Sequence, residues 1–215
     1  MVSSGSEEAT RAGARILENG GNAVDAAVAA AFALGVADSG GSGLGGMTYI
    51  LIALADGRES FIDGSSPTPI AFDRQELSRL REAEASFGYA SVSVPTTAAA
   101  LAHALDRYGT MTLAEVLQPA IEIAETGFRL NPNSIAWAKG YLEEILESSY
   151  LRFFVLEDGL TLGRPGDLIC RPDLARTLRR LADEGIESFY RGAIAAEMVA
   201  DMKRNGGYVG PNDLA

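Results

Sequence analysis

The chain has 215 residues, 47% hydrophobic and 22% charged, with a formal net charge of -11, one cysteine and one histidine. That length buries a core as one domain or two small ones. The acidity argues against nucleic acid and an anionic membrane surface, both of which need basic faces. A lone Cys170 excludes an internal disulfide and a cysteine zinc cluster, and a lone His103 excludes a two-histidine metal site.

No uncharged apolar stretch of about 18 residues occurs, so no spanning helix is expected. The start, MVSSGSEEATRAG, lacks the basic opening and apolar middle of a secretory signal. The simpler expectation is cytoplasmic, or periplasmic if the numbering begins after processing.

In chain order, Ser6 to Asn19 predicts an amphipathic helix with Glu7 and Glu8 in its first turn and Gly20 at its end. Asn22 caps a second helix, Ala23 to Val36, whose Ala and Val on nearly every side require burial. Gly40, Gly41, Gly43, Gly45 and Gly46 then form a turn into an apolar strand. That much backbone freedom costs ordering entropy and is kept for tight bends or close backbone approach. Met47 to Leu54 and Ser60 to Ile62 flank Asp56-Gly57, a hairpin signal. Ala71 to Glu84 predicts an exposed helix, and the alternation of Tyr89 to Val94 predicts a short strand ending at Pro95.

Helices follow. Thr97 to Tyr108 is closed by Gly109, and Thr112 with Glu115 forms a capping box for a helix ending near Gly127. Asn133 to Ser148, Pro172 to Glu184 and Gly192 to Asn205 complete the set, with Gly206-Gly207 as a stop. No linker or repeat interrupts residues 1–215, which predicts one helix-rich α+β unit. Few strands for so many helices, and a tail from Tyr208 to Ala215 that looks like the start of something new, suggest a piece of a larger fold.

Familiar sites fail on context. Gly41-x-Gly43-x-x-Gly46 is a formal GxGxxG, but the dinucleotide fingerprint needs a strand before it and a helix N-terminus after it, and here the order is reversed. No Gly-Lys-Ser/Thr follows any glycine run. A Ser-His-Asp triad would have to use His103, which sits in an Ala/Leu-rich helix and favours a packing or surface role. Arg171 beside Cys170 could activate the thiol, yet no histidine is near in sequence and an inert thiol is favoured. The scattered acids, such as Glu143-Glu144 and Asp183-Glu184, favour solvated helix faces.

Four blocks in order resemble the γ-glutamyltransferase family of N-terminal-nucleophile hydrolases. They are ATRAGARILENGGNAVDAAVAAAFALGV, GSGLGGMTYIL, the stretch from VPTTAAALAHALDRYG to EIAETGF, and GDLICRPDLARTLRRLADEGIESFYRGAIAAEMVADMKRNGG. The resemblance covers nearly the whole chain. It implies the N-terminal part of the large subunit of a layered α-β-β-α proenzyme that cuts itself into two subunits. The new N-terminal threonine of the small subunit is the nucleophile, with its own amine as base. No metal or organic cofactor is implied. The implied partners are the remainder of the same proenzyme, including the small subunit, and a small-molecule amide.

Departures from the family pattern carry the most information. The family's nucleophile opens a Thr-Thr-His run, whereas Thr96-Thr97 precedes Ala98 and His103 follows Ala102. The chain alone is therefore expected to be inactive, with no catalytic residue assigned within it. The family usually reads Asp-x-Arg-Glu-x-Ala-Pro after its second strand, the arginine gripping the α-carboxylate of the γ-glutamyl group. Here the segment is Asp63-Gly64-Ser65-Ser66-Pro67-Thr68-Pro69, with Ser65 at the arginine position. Asp63, Ser65 and Ser66 are thus the candidate substrate-binding residues, with a simple polar turn as the alternative. Arg58 and Arg74 lie close enough in sequence to compensate. Losing a charged hydrogen bond costs about 1.5–3 kcal/mol, so a substrate other than plain glutathione is expected. The alternatives are a true glutathione-cleaving transferase and a non-catalytic binding or scaffold relative. Thr96 is a smaller departure, where relatives usually carry glycine.

Overall fold

Capping residues set where the first helices begin. The computed structural model describes residues 1–38, 40–73, 75, 87–147, 152–155 and 161–215. Helix α1 spans Glu7–Glu18 behind Ser6, whose hydroxyl accepts the Ala9 N–H at 3.1 Å. Helix α2 spans Ala23–Ala37 behind a reciprocal capping box: Asn22 Oδ1 accepts from the Val24 and Asp25 amides, and Asp25 Oδ2 accepts the Asn22 N–H at 2.7 Å. Its small apolar residues let neighbours pack close, and Val28, Ala29, Phe32, Ala33 and Val36 are all buried.

Strands β1 (Thr48–Ala53) and β2 (Glu59–Gly64) form an antiparallel hairpin. Helix α3 (Thr97–Tyr108) precedes α4 (Leu113–Thr126), which opens on the Thr112/Glu115 capping box and closes at Gly127 with φ 94°. Strand β3 (Phe128–Arg129) pairs with β4 (Leu168–Ile169) over two residues. Helices α5 (Pro132–Gly140), α6 (Leu142–Glu147), α7 (Pro172–Glu184), α8 (Glu187–Tyr190) and α9 (Ala193–Arg204) complete a helix-rich α+β fold. No helix of the described residues is long and apolar enough to cross a membrane.

The residues divide into two compact units, Met1–Gly43 with Ala104–Ala182, and Leu44–His103 with Asp183–Ala215. In the first, α2 packs against α1 and α4, around Ile16, Phe32, Leu117 and Ile121. Asp25 is fully buried there; it accepts the Thr110 N–H at 2.8 Å, the Thr110 hydroxyl at 2.7 Å and the Met111 N–H at 3.1 Å. Arg171 donates to the Gly35 and Val36 carbonyls at 3.1 and 3.4 Å, capping the last turn of α2, with its guanidinium 4.4 Å over the Phe153 ring. Burial pushes that guanidinium down to about 10. In the second unit, Val94, Ala195, Met202, Val209 and Leu214 form a core of their own.

Two expectations change. Tyr89 to Val94 is not a strand: Tyr89–Ser91 is a 3₁₀ turn, and Val94 N–H donates to the Pro67 carbonyl at 3.1 Å. Tyr89, Val92 and Val94 pack against the α9 core, a spacing of three then two that follows the 3₁₀ turn and not a strand's alternation. The helix expected over Asn133 to Ser148 starts one residue earlier, with Asn131 as cap and Pro132 at its first position, and breaks at Gly140-Tyr141, where φ of Tyr141 is -127°. The tail packs within its own unit: Val209 and Leu214 are buried, and Asp213 accepts the Ile70 N–H at 2.7 Å and the Gly210 N–H at 2.7 Å. Most of the helix expected over Ala71 to Glu84 lies outside the described residues.

Candidate substrate-binding site

The loop of the hairpin decides which side chains share a face. Leu54 N–H donates to the Arg58 carbonyl at 2.9 Å, closing a three-residue loop of Ala55, Asp56 and Gly57, with Gly57 at φ 86°. Asp56 Oδ2 holds the Arg58 guanidinium at 2.7 Å. The register places Tyr49 opposite Asp63 and Leu51 opposite Phe61, so these four share one face. That face is open: Tyr49 is 57% exposed, Phe61 61% and Leu51 75%. The Tyr49 and Phe61 rings stack with centroids 6.1 Å apart. The opposite face buries Ile52 and Gly64.

At the end of β2 the structure brings Asp63 and Ser65 together and sends Ser66 elsewhere. Asp63 Oδ1 accepts the Ser65 N–H at 2.9 Å and also the Ser65 hydroxyl. These two bonds, the hydroxyl first, hold the Asp63 carboxyl below the ordinary aspartate value. The Ser65 hydroxyl also lies 3.2 Å from the Tyr49 hydroxyl. Ser66 instead has its hydroxyl 3.4 Å from that of Thr96 and 3.5 Å from the Gly46 carbonyl. The Thr96 hydroxyl donates to the Gly64 carbonyl at 2.6 Å, while the Thr96 and Thr97 amides donate to Gly46 O at 3.0 and 3.1 Å. Ser66 and Thr96 thereby tie the end of β2 and the glycine turn to the start of α3.

Sequence reasoning missed Tyr49 and Thr96 as partners of this cluster. Thr96 was visible only as a departure from the family glycine, and its hydroxyl is what reaches Gly64. Tyr49 needed the correct loop length.

The glycine turn makes a close packing contact. It leads into β1, and none of its glycines has positive φ. A Cβ on Gly40 would come within 2.9 Å of the Trp137 ring, so there the glycine permits close packing. His103 is exposed on α3, and Cys170 is exposed while Arg171 is engaged at α2. No cluster of three or more His, Cys, Asp or Glu side chains among the described residues is placed to hold a metal. An open depression at the start of α1, lined by Glu7, Arg11, Phe128, Arg129 and Leu168, does not include Asp63, Ser65 or Ser66.

Residues 9–215 match the family model described as Gamma-glutamyltranspeptidase. The chain is 35% identical over 222 residues to the glutathione hydrolase proenzyme of Escherichia coli (strain K12), covering all of this chain and 38% of that one. It is 36% identical over 227 residues to the acylase ACY 1 proenzyme of Pseudomonas sp. (strain V22), covering all of this chain and 40% of that one. The crystal structure of Helicobacter pylori γ-glutamyltranspeptidase matches with a TM-score of 0.90 at 32% identity, over all of this chain and 62% of that chain. The chain spans about two fifths of the length of the curated relatives it matches. With its second capped helix, glycine turn and hairpin all inside the matched stretch, the chain belongs to the γ-glutamyltranspeptidase family.

Proposed function

We propose that this chain is the large-subunit segment of a γ-glutamyltransferase-like amidohydrolase or acyltransferase acting on an amide other than plain glutathione. The nucleophile is an N-terminal threonine carried by the remainder of the proenzyme, whose hydroxyl attacks the amide and releases the amine. The acyl-enzyme then passes to water or an acceptor amine. Asp63, Ser65 and Ser66 belong to the substrate-binding segment, Ser66 as its brace. The observation that carries the substrate reading is Ser65, a neutral hydroxyl bonded to Asp63 where the family pattern has a carboxylate-gripping arginine. A hydroxyl offers one neutral hydrogen bond where arginine offers a charged fork. Arg58, the candidate replacement, is held by Asp56 beside the hairpin loop. Arg74 lies outside the described residues. The names of the relatives support both branches, since one is a glutathione hydrolase and another an acylase.

The exposed face of Tyr49, Leu51 and Phe61 supports a partner in the rest of the proenzyme, because a stacked aromatic pair beside a leucine is costly to leave in water. The isolated chain is expected to self-associate and to show no turnover of γ-glutamyl-p-nitroanilide. Turnover by the purified chain would overturn the assignment of the nucleophile to the remainder. A stable monodisperse monomer in ultracentrifugation would count against the partner.

A further inference from the structure

Asp63 has one carboxylate oxygen engaged and one to spare. Oδ1 takes both the N–H and the hydroxyl of Ser65, which is all that a local turn requires. Oδ2 has neither a hydrogen bond nor an ion pair among the described residues. The carboxylate is also held in place, since the Ser65 hydroxyl that binds it lies against the Tyr49 hydroxyl across the strand pair. Among the described residues no cation pairs with it. Arg58 is five residues back along the strand, roughly 17 Å at the usual rise, and is bonded to Asp56. The cluster therefore offers one fixed negative charge, two hydroxyls and no described cation. A carboxylate placed beside Ser65 meets a like charge and no donor fork. An amine or amide N–H placed there meets the free oxygen of Asp63.

Resting on the reading that residues 63–66 line the substrate site, we infer that the preferred acyl group presents a hydrogen-bond-donating nitrogen, and no carboxylate, to the Asp63–Ser65 pair. The class is that of amides of amino acids or amino-alkyl acids lacking a free α-carboxylate. Asp63 is then the specificity-determining residue, with Ser65 and Tyr49 positioning it.

The test uses the full-length processed protein and four p-nitroanilides of similar acyl length: 4-aminobutyryl (amine only), glutaryl (carboxylate only), γ-glutamyl (both) and butyryl (neither). The expected kcat/KM is at least about tenfold higher for 4-aminobutyryl than for glutaryl, the size of one charged hydrogen bond. Ser65→Arg should raise glutaryl and γ-glutamyl turnover roughly tenfold to a hundredfold. Asp63→Asn should lower the ratio of 4-aminobutyryl to butyryl turnover, a ratio that general loss of fold does not move. A wild-type ratio near one, or one favouring glutaryl, overturns this inference and leaves the amidohydrolase reading standing. No turnover of any of the four anilides by the processed protein overturns both. Should Ser65→Arg fail to fold, the wild-type ranking decides alone.

Discussion

Asp25 in the first unit is fully buried and accepts hydrogen bonds from the Asn22, Thr110 and Met111 amides and the Thr110 hydroxyl. Asp63 in the second unit is exposed and accepts only from Ser65 among the described residues. Burial alone would push the Asp25 carboxyl up, but the Thr110 hydroxyl and the three amides outweigh it and hold the group below its ordinary value. A buried charge survives only where donors match it, so Asp25 has no capacity left for a ligand. Asp63 keeps half of its acceptor capacity. The difference separates a carboxylate that builds the fold from one that the fold holds out.

The largest expected effect tests that separation directly. Asp25→Ala strands the buried amides of α2's cap and of the Thr110 turn, and should cost about 3 kcal/mol in urea denaturation. Asp63→Ala should leave the denaturation midpoint in place and change substrate ranking instead. Equal midpoint shifts for the two variants would abolish the distinction.

The glycine turn offers the same contrast without charge. At Gly40 an added Cβ lands 2.9 Å from Trp137, whereas at Gly45 it meets nothing within 4 Å. Gly40→Ala should cost about 1–3 kcal/mol through overpacking. Gly45→Ala should be neutral or slightly stabilising, because it lowers the entropy of the unfolded chain. Differential scanning calorimetry of the pair distinguishes a packing glycine from a spacer, and a larger loss at Gly45 would reverse the assignment.

Acid titration sharpens the comparison further. Asp25 has a folded value below its unfolded one. Between those two values the folded state binds fewer protons, so the contribution is complete above the unfolded value of 3.8 and is lost as pH falls through the folded value. Asp25→Asn should flatten the acid limb of a stability–pH curve in that window. An unchanged acid limb would mean that its hydrogen bonds do not favour the charged form.

Much of this was legible in the residues. Ser6, Asn22 and Thr112 marked three helix starts because each is a short polar side chain that satisfies orphan amides locally, and the structure uses each that way. The buried role of α2 followed from alanine on every side. Asn131-Pro132 carried an equally local signal that the longer apolar pattern from Asn133 obscured. The site was harder to read. Asp56-Gly57 suggests a two-residue turn, but the loop holds three residues. A slip of one residue exchanges the faces of a strand, so Tyr49 could not be placed opposite Asp63 from the dipeptide alone. Tyr89 to Val94 failed for another reason: the side chains that reach the core are Tyr89, Val92 and Val94, a spacing set by a 3₁₀ turn that the apparent alternation of residue types does not reveal.

The smallest expected effect is at the surface of the first unit. Arg15 and Glu122 form a two-pronged pair, 2.5 and 3.2 Å between nitrogen and oxygen, with side chains 48% and 40% exposed. Each shifts the other toward its charged form, mainly through this hydrogen bond. Good geometry does not make such a pair strong, because water and salt screen it and two long side chains lose freedom in forming it. A double-mutant cycle with Arg15→Ala and Glu122→Ala should give a coupling of about 0.5 kcal/mol that fades toward 1 M salt. Asp25 keeps its effect at high salt, because its partners are adjacent donors and the side chain is shielded from bulk solvent. A salt-resistant coupling above about 2 kcal/mol at Arg15–Glu122 would show that exposure is the wrong criterion for sorting structural charges from spare ones in this chain.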